Sequence, residues 1–182
     1  MTLETLRTEC LACTRCELCK TRTNVVFGVG NPNADIMFVG EGPGKNEDEQ
    51  GEPFVGQAGK LLDTYLVSVG LRRQDVYIAN IVKCRPPGNR DPLPEEQENC
   101  IVWLNTQLEL ISPKVVVCLG RIAAKRLIKD DFKVTVEHGQ VFDMGGYGIM
   151  GTFHPAALLR NPAHKVPAFE DFKKIAEIAG IS

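Results

Sequence analysis

The stretch Asp35-Ile36-Met37-Phe38-Val39-Gly40-Glu41-Gly42-Pro43-Gly44 decides the fold. Its first half is a short apolar run without polar alternation, the pattern of a strand buried on both faces. Its second half breaks into glycine and proline, where no strand can continue. Three more runs read the same way: Val76–Ile81, Lys114–Leu119 and Ile149–Phe153. Between them, Leu61, Leu62, Tyr65, Leu66 and Val69 recur at helical spacing, as do Ile101, Leu104, Leu108 and Ile111. Pro92 and Pro94 open the latter helix and Ser112-Pro113 closes it, while Phe169, Phe172, Ile175 and Ala179 mark a last helix. Strands alternating with helices predict an α/β fold, a three-layer αβα sandwich around a four-stranded parallel sheet. Residues 1–182 read as one domain, with no repeat, low-complexity tract or linker.

In such sheets, ligands sit beyond the carboxyl ends of the strands. There the sequence places Gly40–Gly44, Asn80, Gly120 and His154-Pro155, so that edge is the expected site. The loop Glu47-Asp48-Glu49-Gln50-Gly51-Glu52-Pro53-Phe54-Val55-Gly56-Gln57-Ala58-Gly59 is long for a compact domain and sets one aromatic among glycines. The G-x-G-x-x-G spacing of a dinucleotide fingerprint is absent.

Composition narrows the function classes. The apolar share of 43% and the charged share of 24% are those of a globular chain, and no run reaches membrane-spanning length. Met1–Glu9 is mixed and charged, unlike a secretory signal, so the chain is expected to be soluble and intracellular. A net charge of −2 argues against coating nucleic acid by bulk electrostatics, though not against a local basic face. The seven cysteines are an odd count and do not suit a secreted disulfide scaffold.

Cys10, Cys13, Cys16 and Cys19 stand two residues apart, with Cys84 and Cys100 later and Cys118 inside a strand as a core thiol. Spacing alone leaves several readings open. The first four could hold an iron–sulfur cluster, approximating the ferredoxin run. Zinc on two Cys-x-x-Cys pairs is another, although Cys84 and Cys100 are too widely spaced for a second tight pair. Cys13 and Cys16 with Cys84 and Cys100 could form a four-thiolate [4Fe–4S] site, and scattered core cysteines are the plain alternative.

Taken together, Gly40–Gly44, Glu47-Asp48, Gly51–Gly59 with Pro53-Phe54-Val55-Gly56, Asn80-Ile81-Val82-Lys83-Cys84-Arg85-Pro86-Pro87 and His154-Pro155-Ala156-Ala157-Leu158-Leu159-Arg160 make the chain resemble the family 4 uracil-DNA glycosylases, the iron–sulfur type. The resemblance runs in order along essentially the whole chain. It implies a [4Fe–4S] cluster on Cys13, Cys16, Cys84 and Cys100, with a structural role, and leaves Cys10 and Cys19 outside the pattern.

It also implies roles. Phe54 would stack on a uracil flipped out of DNA, and Asn80 would read its O4 and N3–H. His154 would donate to uracil O2 as the glycosidic bond breaks. Gly42 stands where other uracil glycosylase families have Asp or Asn, so Asn89 would position the water, with Glu41 and Glu47 near the pocket and Glu47 crowding out a thymine methyl. Leu158, Leu159 and Arg160 would form the minor-groove wedge. Lys83, Arg85, Arg90, Arg160 and Lys165 would contact phosphates, and His138 and His164 would lie at the surface.

The expected activity is monofunctional hydrolysis of uracil from single- or double-stranded DNA, in base excision repair. Uracil-containing DNA is the expected partner, with a sliding clamp or other repair proteins as further candidates, for a cytoplasmic, nucleoid-associated monomer that binds no membrane. The rivals are an iron–sulfur redox protein and a uracil-DNA binder without turnover. The latter is disfavoured because Cys84-Arg85-Pro86-Pro87-Gly88-Asn89-Arg90-Asp91-Pro92 carries no histidine.

Overall fold

The computed structural model describes residues 1–181. In chain order the elements are α1 (Leu3–Leu11), β1 (Val29–Gly30), β2 (Ile36–Gly40), α2 (Lys45–Gln50), α3 (Gln57–Ser68), β3 (Tyr77–Asn80), α4 (Pro94–Ile111), β4 (Val115–Leu119), α5 (Arg121–Leu127), α6 (Val134–Glu137), β5 (Val141–Asp143), β6 (Gly148–Thr152), α7 (Pro155–Arg160) and α8 (Lys165–Ile178). The sheet is mixed and six-stranded, in the order β1-β3-β2-β4-β6-β5. That corrects the expected four-stranded, all-parallel sheet. The four apolar runs do pair in parallel at its centre, but β1 and β5 add antiparallel edges. Both additions are too short, and too exposed on one face, to leave an apolar run.

Side-chain alternation divides the core. Ile36, Phe38, Ile78, Val115, Val117 and Met150 point to one face, where they pack with Leu62 and Leu66 of α3 and Phe172 and Ile175 of α8. Met37, Val39, Ala79, Val116, Cys118 and Ile149 point to the other, against Leu6 and Cys10 of α1, Cys100, Ile101 and Leu104 of α4, and Ala123 of α5. Burying both faces is why these strands carry no polar residue until their carboxyl ends.

The long helix α4 begins with Pro94 at its first position and Glu95 and Glu96 in its first turn, both suited to a helix N-terminus. It ends at Ser112 in a left-handed conformation, ahead of Pro113. The same inward face carries Cys100, Leu104 and Gln107. No described helix is long and apolar enough to cross a membrane.

Candidate active site

β2 and β3 end side by side, with Gly40 opposite Asn80. A Cβ at Gly40 would lie 2.6 Å from Asn80 Oδ1 and 2.7 Å from Phe54 Cζ, so only glycine leaves a slot between amide and ring. Asn80 is 2% exposed, and its Oδ1 is buried without a hydrogen-bond partner. An orphaned buried acceptor is expensive, about 1–3 kcal/mol, unless something arrives to satisfy it.

Phe54 adopts a left-handed backbone, φ 52°, uncommon for a bulky residue. The conformation is held from two sides. Arg73 donates through Nη1 to the Phe54 carbonyl and through Nη2 to that of Pro53, both at 2.7 Å. Gly59 lies so close beneath that a Cβ would meet Phe54 O at 1.9 Å. The Phe54 ring thus faces the imidazole of His154, with centroids 5.4 Å apart.

His154 follows β6 and caps α7: its Nδ1 accepts from the Ala156 N–H at 3.0 Å. With Nδ1 occupied as an acceptor, the ring proton sits on Nε2. Burial, aided by the positive charge of Arg160 and opposed by Glu47, pushes the imidazole down to about 4. The side chain is a neutral donor at physiological pH. Gly120 packs against it: a Cβ there would lie 3.0 Å from the His154 Cβ, and the φ of 93° already favours glycine.

Phe54, Asn80 and His154 line one cavity of about 330 Å³ together with Glu41, Gly42, Glu47, Asn89 and Arg160. Glu47 stitches its wall: Oε1 accepts from the Gly44 N–H at 3.0 Å, and Oε2 from those of Val55 and Gly56 at 3.0 and 3.1 Å. The carboxylate therefore joins the glycine turn to the aromatic loop. Asn89 is also left-handed, φ 57°, and its Oδ1 accepts from Arg85 Nε at 2.7 Å, which leaves its NH₂ group free to orient a small molecule.

Glu41 has a neighbour the sequence reading did not single out. Burial, then the charge of Asp91 and a hydrogen bond to it, raise the Glu41 carboxyl to about 7, with Arg121 opposing. Asp91 itself is held below the ordinary carboxylate range, chiefly by Arg121, whose Nη2 donates to Oδ2 at 2.6 Å. These two residues lie in a wider trough of about 540 Å³, which shares Glu41, Asn89, His154 and Arg160 with the first cavity.

Several expected DNA-facing side chains are placed otherwise. Leu158 is 1% exposed and packs in the core, so it is no free wedge; Leu159, one residue on and 42% exposed, points outward. Lys83, expected at phosphates, is 1% exposed and donates instead to the Asn80 carbonyl and Gln107. Arg90 does line the 330 Å³ cavity at its edge, as expected, while gripping Glu96 through two hydrogen bonds at 2.8 and 2.9 Å. His138 and His164 are only partly exposed. Each packs on Phe153, and His138 Nδ1 meets Asp171 Oδ2 at 2.8 Å.

On the far side of Lys83, Cys13, Cys16, Cys84 and Cys100 line a second, smaller cavity with Cys19, Arg22 and Trp103. Among the described residues no three His, Cys, Asp or Glu side chains converge on one point as a single ion requires. All four of these thiols nevertheless line the one cavity. Hydrogen-bond donors already meet the sulfurs: Arg22 Nη1 lies 3.4 Å from Cys84 Sγ, the Lys83 N–H 3.2 Å from Cys100 Sγ, and the Arg15 N–H 3.5 Å from Cys13 Sγ. The Trp103 indole N–H is buried on the same wall with no acceptor. Such donors suit sulfur-rich, anionic occupancy. Cys10 is fully buried among apolar residues, where burial pushes its thiol up to about 12, and Cys118 lies inside β4.

Comparison with known proteins agrees with this geometry. The family model described as "Uracil DNA glycosylase superfamily" matches residues 27–177. The chain is similar to the type-4 uracil-DNA glycosylase of Archaeoglobus fulgidus, with 50% identity over 98% of this chain and 94% of the relative. It is similar to that of Thermotoga maritima at 49%, covering 89% and 86%, and to that of Sulfurisphaera tokodaii at 44%, covering 97% and 84%.

Proposed function

The chain belongs to the uracil-DNA glycosylase superfamily and is a uracil-DNA glycosylase, a hydrolase of N-glycosyl bonds, and on that premise we propose how its residues divide the work. Acting as a single domain on single- or double-stranded DNA, it takes the flipped base into the 330 Å³ cavity. The base stacks on Phe54. The orphaned Asn80 Oδ1 accepts from uracil N3–H while the amide NH₂ donates to O4. Cytosine reverses both groups and is rejected. The slot left by Gly40 admits the planar ring, and Glu47, immobilised by three backbone N–H groups, narrows the wall against a thymine methyl.

As the C1′–N1 bond breaks, its electron pair leaves with the base and negative charge collects on O2. Nε2–H of neutral His154 donates to that oxygen in a water-poor pocket. Because Gly42 offers no side chain, the water is oriented by the Asn89 amide. The Asn89 Oδ1 is already bonded to Arg85, so the proton released as water adds to C1′ passes to the Glu41 carboxylate, whose basicity is raised toward neutrality. Uracil is protonated after release and an abasic site remains. Leu159 fills the gap in the duplex, and Arg160 and Arg85 contact the strand.

Cys13, Cys16, Cys84 and Cys100 would hold a [4Fe–4S] cluster, with Trp103 N–H and Arg22 as donors to its sulfurs. When bound, that group supplies a rigid cross-link between the N-terminal segment, the loop after β3 and α4. The loop carries Arg85, Asn89 and Asp91, so fixing it fixes the water side of the pocket.

One observation carries the reading: a buried amide acceptor without a partner, an aromatic ring and a neutral imidazole donor converge on one cavity. The test is release of free uracil from defined single- and double-stranded oligonucleotides by the purified chain, with iron content and absorbance measured on the same sample. An iron-loaded preparation that leaves deoxyuridine intact overturns it.

A further inference from the structure

Lys83 is among the largest fully buried side chains in the protein. Its ammonium donates to the Asn80 carbonyl at 3.1 Å and to Gln107 Oε1 at 2.7 Å, and lies 5.8 Å from the centre of the Phe27 ring. All three are uncharged. Among the described residues Lys83 forms no ion pair with a carboxylate. A buried ammonium left with neutral partners is strongly disfavoured, so its counter-charge has to come from elsewhere.

Of the two thiols whose charge would favour the ammonium, Cys100 and Cys10, only Cys100 belongs to the proposed ligand set and would be a thiolate in the loaded site. Lys83 lines the cysteine cavity, and its own backbone N–H donates to Cys100 Sγ at 3.2 Å. Cys100 and Gln107 are seven residues apart on α4, two turns along one face, so a single helix presents both to Lys83. Gln107 is then locked by donating to the Phe27 carbonyl at 2.9 Å and toward Tyr77 Oη at 3.3 Å. Four thiolates outweigh the positive charge of an iron–sulfur core, so a loaded site is anionic.

We propose that Lys83 is the buried counter-cation of the cysteine site and a positioning residue for Asn80, linking that site to the carboxyl end of β3. The inference rests on the reading that the four thiolates hold a cluster and that Asn80 reads uracil. The cationic end neutralises the loaded site, and its hydrogen bond to the Asn80 carbonyl fixes the carboxyl end of β3, where the base-reading amide is mounted.

The test compares the iron-loaded parent with Lys83→Met, which keeps length but loses charge and donors, and Lys83→Gln, which loses charge but keeps a donor. Removing a positive charge beside the cluster makes its reduction harder. Both variants should show a lower reduction potential than the parent and release iron several-fold faster to a chelator. Lys83→Met should also lose about tenfold in uracil-release kcat/KM and in preference over cytosine, with a smaller loss in Lys83→Gln. Parent-like potential and iron release in both variants overturns the proposal; if the Met chain does not fold, the Gln chain decides on the same two readouts. A parent that purifies without iron overturns the cluster reading itself, a failure seen before any variant is compared.

Discussion

Replacing His154 with Asn isolates the donor from the rest of the residue's work. The imidazole does two things: Nδ1 caps α7 through the Ala156 N–H, and Nε2–H faces the cavity. Asn is a strong N-cap whose Oδ1 can accept from the same N–H, so the helix keeps its cap while the reach to uracil O2 is lost. A single donor to a developing oxyanion contributes roughly 10²–10³-fold, or about 2.7–4 kcal/mol. Against the neutral carbonyl of the bound substrate the same bond is worth only about 0.5–1.5 kcal/mol. His154→Asn should therefore slow single-turnover uracil release by roughly 10²–10³-fold with less than about a tenfold rise in KM. Acidity gives a second signature. With its pKa at about 4, only roughly one imidazole in a thousand is charged at pH 7, against about a quarter for an ordinary histidine. The inflection near 7 that Glu41 gives the parent's rate profile should thus persist in His154→Asn, since the imidazole does not titrate there. Because the folded value lies below the unfolded one, the unfolded chain binds the proton first, and the parent loses stability as pH falls from about 6.5 toward 4. His154→Asn should lose less stability over that interval. Single-turnover rates within twofold of the parent would remove this imidazole from the reaction.

Asn80→Asp should lower uracil kcat/KM by roughly ten- to a hundredfold and erode discrimination against cytosine, since the donor to O4 is gone; paired uracil and cytosine oligonucleotides measure it, and an unchanged ratio refutes the assignment. Gly40→Ala places a methyl 2.6 Å from Asn80 Oδ1 and should raise KM at least about tenfold, read by steady-state kinetics. Glu41→Gln should abolish a rise in kcat through pH 7. The folded Glu41 value of about 7 exceeds that of an ordinary carboxyl, so its stabilising contribution is complete below about 4.5 and lost as pH rises through 7. Denaturant unfolding at pH 8 should accordingly find the Gln variant the more stable. Cys84→Ala should lose iron and expose the following loop to protease, whereas Cys118→Ala, inside β4, should keep the parent's iron stoichiometry.

The central strands were legible because burial on both faces leaves an unbroken apolar run, and the pocket was legible because glycine and amide residues interrupt those runs at one edge. What escaped depended on pairings that sequence distance hides. Glu41, Asp91 and Arg121 come from three separate segments, and nothing local to Asp91 announces a carboxyl neighbour. Sequence points Lys83 outward because lysine is seldom buried. Leu158 and Leu159 were read alike because they are alike in composition, but successive helical residues point about 100° apart, which sends one into the core and the other to solvent. His138 looks like a surface residue in the sequence because its partner, Asp171, lies on a helix at the far end of the chain.

Strain supports the same assignment from an independent direction. Among the described residues, three other than glycine adopt a left-handed backbone: Phe54, Asn89 and Ser112. Ser112 closes α4, a routine place for that conformation. The other two both line the 330 Å³ cavity, on opposite sides of the reaction proposed for it. Each such residue costs on the order of 1–3 kcal/mol and persists only where its surroundings enforce it. For Phe54 the enforcement is visible in Arg73, which spends two donors on the carbonyls of residues 53 and 54, and in Gly59, which allows the close approach from below. For Asn89 it is Arg85, held in a loop that begins at a cysteine of the second cavity. Such fixing of the ring proposed to receive the base and of the amide proposed to receive the water is what a preorganised site requires. It would also tie the cysteine cavity to the proposed chemistry, since the loop that begins at Cys84 is the one bearing that amide.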